Sequence, residues 1–195
     1  MMRKRSFSRV LANAGAFGAV IFAGSALPPV APARADVPEI RIVPDSQLRF
    51  GAFMIFGSGS RSVSPSGDVS DLAVVPIEGS RTGPAHFTIS YDRGNESNHV
   101  LDIELELVLS PAQAVRVRGV EGRLSGYDTD IPGYLRVQPG QAIRLTLSNC
   151  RTRICSRSFN VGGTLHVSRQ FGGAEIVVPI PIDAAVISAE RQRRN

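Results

Sequence analysis

The residues of greatest chemical potential are Cys150 and Cys155, the only cysteines in this 195-residue chain, separated by four residues in NCRTRICS. Such a pair suits three chemistries: a redox centre, part of a metal site, or a structural disulfide. A thioredoxin-type centre wants two intervening residues at a helix start, whereas β-like runs, AIRLTLSN and SFNVGGTLHV, flank this pair. A metal site needs further Cys or His at ligand spacing, and His86, His99 and His166 form no close pair along the chain. In an oxidising compartment thiols close into disulfides. Cys150–Cys155 is therefore expected to bridge a hairpin, with free thiols as the alternative.

Other constellations are weaker. GSGS around Ser58 and Ser60 does not match the Gly-x-Ser-x-Gly of a nucleophile elbow. VGGT, Val161–Thr164, lacks the lysine and following helix of a phosphate-binding loop, and its glycines suit a bulge or close sheet packing. Asp128 and Asp130 in GYDTDIPG have calcium-loop spacing without the other ligands, so a polar turn is the main reading and calcium the alternative. Asn95, in NES, fits a glycosylation acceptor pattern. No catalytic residue, cofactor or metal site is expected, and the chain reads as non-enzymatic.

The compartment follows from the N-terminus. Arg3, Lys4, Arg5 and Arg9 precede the apolar AGAFGAVIFAGSAL, prolines follow at 28 and 29, and Ala33 and Ala35 frame a small-residue cleavage site before Asp36. Basic start, short apolar middle and small-residue end describe a secretory signal over residues 1–35. The apolar run falls short of the roughly 20 residues that span a bilayer, so no stable membrane insertion is expected after cleavage. Of 22 basic residues five leave with this segment, and the remaining 17 balance the 17 acidic ones. A neutral mature chain loses the electrostatic footprint of a nucleic-acid binder. Export to the periplasm or cell surface is expected, with a basic C-terminal tail over 186–195 that includes Arg191, Arg193 and Arg194.

The elements that must position these residues are strands. EIRIV, QLRFGAFMIF, DLAVVPI, AHFTISY, HVLDIELELVL, AIRLTLSN and RSFNVGGTLHV alternate or run apolar, and SPSGD, DRGN, SPAQ and QPGQ punctuate them. Many short strands with regular turns predict an all-β antiparallel sandwich or barrel over 36–185. In HVLDIELELVL the carboxylates of Asp102, Glu104 and Glu106 share one face and Ile103, Leu105 and Leu107 the other. A hairpin about Pro111 would set Glu106 opposite Arg116 and Glu104 opposite Arg118, favouring that register by a few tenths of a kcal/mol per pair. A cation site or a catalytic pair is the alternative use of those carboxylates. AEIVVPIPID reads as the last strand, at a sheet edge, because Pro179 and Pro181 lack the N–H groups that would pair along it.

Three stretches carry a resemblance. LRFGAF with SRSVSPSGD, then FNVGGTLHV, then FGGAEIVVPI resemble the bacterial domain-of-unknown-function family numbered 4402, over about Leu48 to Ile182. The matching motif residues are Leu48, Phe50, Gly51, Phe159, Val161, Gly162, Gly163, Thr164 and Leu165. The family is similar to exported pilin and spore-coat-U-type subunits, which implies an immunoglobulin-like sandwich and a surface structural role. AAVISAERQRRN, continuing beyond the last strand, and the proline pair depart from that pattern. The expectation is an assembly subunit acting by strand addition or side-to-side packing, its partners itself or related surface subunits. DVPEIRIVPD is either a donor strand or the domain's own first strand. The alternative is a self-complete periplasmic binding or inhibitory module.

Overall fold

The alternation that marks HVLDIELELVL as a strand is realised along its length, with Leu101, Ile103, Leu105, Leu107 and Leu109 buried and the residues between them half-exposed. A computed structural model describes residues 37–94, 99–168 and 173–192. The early strands are β1 (Glu39–Ser46), β2 (Leu48–Val63), β3 (Val69–Pro76), β4 (Thr82–Gly83), β5 (Ala85–Asp92) and β6 (Leu101–Leu109). There follow β7 (Val115–Val117), β8 (Val120–Thr129), β9 (Arg136–Val137), β10 (Ala142–Cys150), β11 (Ile154–Ser168), β12 (Gly173–Val178) and β13 (Ile182–Arg191). No helix among the described residues is long and apolar enough to cross a membrane.

All pairings are antiparallel and form two sheets, as expected for the sandwich. The large sheet runs β1-β5-β11-β2-β12, with β3 and β4 on β2, β8 on β11, and β7 and β9 on β8. The small sheet runs β10-β6-β13. Ile103, Leu105, Ile143 and Leu145 of the small sheet join Phe50, Phe53, Ile89 and Phe159 of the large one in a single buried cluster. Inward residues of alternating strands thus meet at the layer interface, where each fully buried aliphatic or aromatic side chain contributes about 1.5–3 kcal/mol. Tyr127 brings a polar tip into this core, and its hydroxyl donates to the Ser110 carbonyl at 2.6 Å. Burial raises its phenol pKa above the ordinary value.

Three expectations are corrected. The charge-paired hairpin about Pro111 does not form: Glu106 faces Arg144 and Ala185, and Glu104 faces Thr146 and Ser188. Arg116 lies in the other sheet opposite Glu121, and Arg118 turns the chain between β7 and β8 at φ 47°. Five buried side chains on β6 outweigh two ion pairs worth tenths of a kcal/mol, and burying them puts β6 between two neighbours.

AEIVVPIPID is not the last strand. Pro179 and Pro181 lie between β12, at the end of the large sheet, and β13 in the small one. Without N–H groups they end one ladder, and the chain crosses to the other layer.

The basic tail expected from residue 186 is strand as far as Arg191, because β13 pairs with β6 from Ile182↔Leu109 to Arg191↔Leu101. Arg193 and Arg194 lie outside the described residues, as do the expected signal over 1–35 and the Asn95 pattern.

Candidate functional site

Leu48 and Phe50 point into the core, both fully buried, with exposed Arg49 between them. Gly51 then takes φ +66°, and the ladder to β12 shifts between Ile176 and Val177 opposite it. The Leu-x-Phe-Gly stretch is thus two core anchors and a bulge, a device that bends a strand.

The second motif sits where β11 changes partners. Ile154–Val161 pairs with β5, and Gly163–Ser168 pairs with β2 on that side and with β8 on the other. Phe159 stacks on Phe87 with ring centroids 5.6 Å apart, and Val161 and Leu165 are fully buried. A Cβ on Gly162 would strike the Val63 carbonyl and come within 2.8 Å of the Ser64 carbonyl carbon. The ladder to β8 is irregular between Gly163 and Leu165. Thr164 shares a 2.8 Å hydroxyl bond with Ser62. The nine motif residues therefore supply the core anchors, the bulge and the change of partners within the large sheet.

Cys150 and Cys155 form a disulfide, with Cα atoms 5.8 Å apart. It does not cross a hairpin: Cys150 ends β10 in the small sheet and Cys155 lies at the start of β11 in the large one. Arg93, 3% exposed, packs beside this corner, donating to the Cys150 carbonyl at 3.4 Å and the His99 carbonyl at 2.6 Å. The bridge closes the turn by which the chain changes layer.

The polar candidates are held by protein groups. Asp130 accepts from the Asn160 backbone N–H at 2.8 Å and its side-chain amide at 3.0 Å, and Asp128 lies 3.8 Å from Arg136. Glu104 lies 3.3 Å from Arg144, on the solvent face of the small sheet. His166 Nε2 and Ser125 Oγ are 3.1 Å apart, a serine–histidine contact. The neighbouring carboxylate, Glu121, is instead taken by Arg116 at 3.0 Å and Arg123 at 2.8 Å. The hydrogen bond from Arg123, with the charge of Arg116, holds the Glu121 carboxyl below its ordinary pKa. A triad's orienting carboxylate is thus diverted from the histidine.

What the chain exposes is sheet edge and sheet face. Among the described residues β1 pairs with β5 alone, and its apolar contribution is two half-buried side chains, Ile40 and Ile42. On the outer face of the large sheet Phe56 is 86% and Leu72 71% exposed. Next to Leu72 an open depression of about 460 Å³ is lined by β2, β3, β8 and β11. Sequence reasoning missed this face, although GSGSRS places serines at every second residue of what becomes β2.

The family described as a domain of unknown function, DUF4402, matches residues 40–174, well over half of the chain. The chain belongs to that family. The DUF4402 match begins inside β1 and ends inside β12, so it takes in both motifs and the disulfide and leaves out β13. No curated protein and no solved structure matches this DUF4402 chain.

Proposed function

We propose that the chain is an exported, non-enzymatic structural subunit that assembles at the cell surface or in the periplasm through strand addition. The observation that carries this reading is β1. Among the described residues it is a singly paired edge strand, next to the N-terminus left by the expected signal cleavage, and its apolar hold on the core is Ile40 and Ile42. A strand held so lightly exchanges between subunits at little cost in core packing, while its backbone hydrogen bonds are remade in the neighbour. The expected similarity of the family to pilin and spore-coat-U-type subunits favours the same reading, as does exposed Phe56 for side-to-side packing.

A second reading, a self-complete binding module, draws on β13. Nine Cα pairs join it to β6, so the small sheet has its own third strand.

The two readings separate in one experiment. The full chain is expressed with its N-terminal segment in a Gram-negative periplasm, and unboiled and boiled samples are compared on a denaturing gel. Strand addition gives SDS-resistant multimers that collapse on boiling, whereas one monomer band in both lanes favours the self-complete module.

A further inference from the structure

The outer face beside Leu72 is a grid set by register. One cross-strand row reads Leu72, Ser60, His166, Arg123, from β3 through β2 and β11 to β8. A second row, two residues away, reads Ser58, Ser168, Glu121. Neighbours within a row stand about 4.5–5.5 Å apart, and the rows are about 6.7 Å apart. All seven residues line the depression of about 460 Å³, a volume within the roughly 300–1,000 Å³ of small-molecule sites.

The chemistry of the grid is selective. Among the described residues the hydroxyls of Ser58, Ser60 and Ser168 have no hydrogen-bond partner. At one end two guanidiniums share one carboxylate: Arg123 places Nε and Nη2 on Glu121 Oε1 at 2.9 and 2.8 Å. Arg116 places Nε and Nη2 on Oε2 at 3.1 and 3.0 Å. Each guanidinium keeps Nη1 for another acceptor, and the trio carries one unit of excess positive charge. At the other end Leu72 offers apolar surface, 71% exposed.

We propose that this depression binds an acidic saccharide of the uronate type. Its carboxylate accepts from Nη1 of Arg123, whose guanidinium is held by two nitrogens on Glu121 Oε1, while Arg116, outside the lining, holds Oε2. Its ring hydroxyls bond to Ser58, Ser60, Ser168 and His166, and its C–H face rests on Leu72. The ligand must bring both features. A neutral sugar leaves the positive charge without a partner, and a bare anion leaves the serines without one. This site is independent of β1 and stands whether or not the strand exchanges.

The test is an NMR titration of the mature chain with tetragalacturonate, with a hyaluronan tetrasaccharide as second probe and maltotetraose and inorganic phosphate as comparisons. The expected result is saturable shifts at Ser60, Arg123, His166 and Ser168 with a uronate probe. The comparisons should be at least tenfold weaker. Arg123→Gln and Ser60→Val should each weaken binding at least tenfold with an unchanged amide spectrum elsewhere, and Arg136→Gln, outside the grid, should leave it unaltered. Absence of shifts with both uronate probes, shifts centred on other residues, or equal binding of phosphate or maltotetraose overturns the assignment.

Discussion

Asp71 Oδ1 lies 3.2 Å from Arg61 Nε across the β2–β3 register, and the arginine side chain is 5% exposed. Its guanidinium also stands 5.9 Å from the Phe53 ring centroid and reaches the Ala52 carbonyl at 3.5 Å. An inward-facing arginine on a strand that otherwise buries apolar residues is tolerated because a carboxylate meets it. Removing that carboxylate leaves a buried charge, so Asp71→Ala should lower stability by about 3 kcal/mol. Joining it with Arg61→Met should restore most of the loss. Urea unfolding of the three variants measures both effects.

Gly162 gives a sharper contrast. A Cβ there meets the backbone of Val63 and Ser64, which has no flexible end to move aside. Gly162→Ala is predicted to cost at least about 3 kcal/mol, or to prevent folding. Gly83→Ala meets nothing within 4 Å and should stay within about 0.5 kcal/mol of the parent. Thermal melts of the pair check the claim that the glycine motif is architectural.

The Cys150–Cys155 bridge closes a short loop. Chain-entropy reasoning gives it about 2 kcal/mol. Reduction, or Cys150→Ser with Cys155→Ser, should lower the urea midpoint accordingly and leave the far-ultraviolet spectrum unchanged. A midpoint that does not move would show that Arg93 and the flanking strands hold the corner unaided.

Acid should weaken the fold through three carboxylates. Asp68 is held below its ordinary pKa by hydrogen bonds from Ser66 and Ser64, Asp92 by Arg153 and the Gly94 N–H, and Glu121 by Arg123 and Arg116. A depressed folded pKa means stability that is complete above the unfolded value, about 4, and is lost as pH falls through the lower folded value. The urea midpoint should therefore hold steady down to about pH 5 and then fall toward pH 3. Asp92→Asn should flatten that fall.

Much of the architecture is legible along the chain, for identifiable reasons. Leu48, Phe50, Phe159, Val161 and Leu165 follow the period of two that a half-buried strand demands, and all are in the core. The disulfide follows from two cysteines at short spacing. Partner choice is less accessible: the face of Glu104 and Glu106 fits Arg116 and Arg118 as well as it fits Arg144, and only three-dimensional packing decides. β13 was hidden because the chain beyond the proline pair runs into the basic ERQRRN, and along the strand Ile182 and Ala184 pack on the core while Val186 and Ile187 are exposed. The serine grid was hidden because Ser60, His166 and Arg123 meet through registers between strands far apart in sequence.

The claim that β1 exchanges between subunits is tested most directly by where a crosslink forms. Arg41 and Ser90 are register partners across β1 and β5, so Arg41→Cys with Ser90→Cys places two thiols on facing positions. The doubly substituted chain is expressed with its N-terminal segment in an oxidising periplasm and run on a non-reducing denaturing gel. Strand exchange predicts a ladder of disulfide-linked chains that collapses to monomer on reduction. A crosslinked monomer alone, with no ladder, would contradict it.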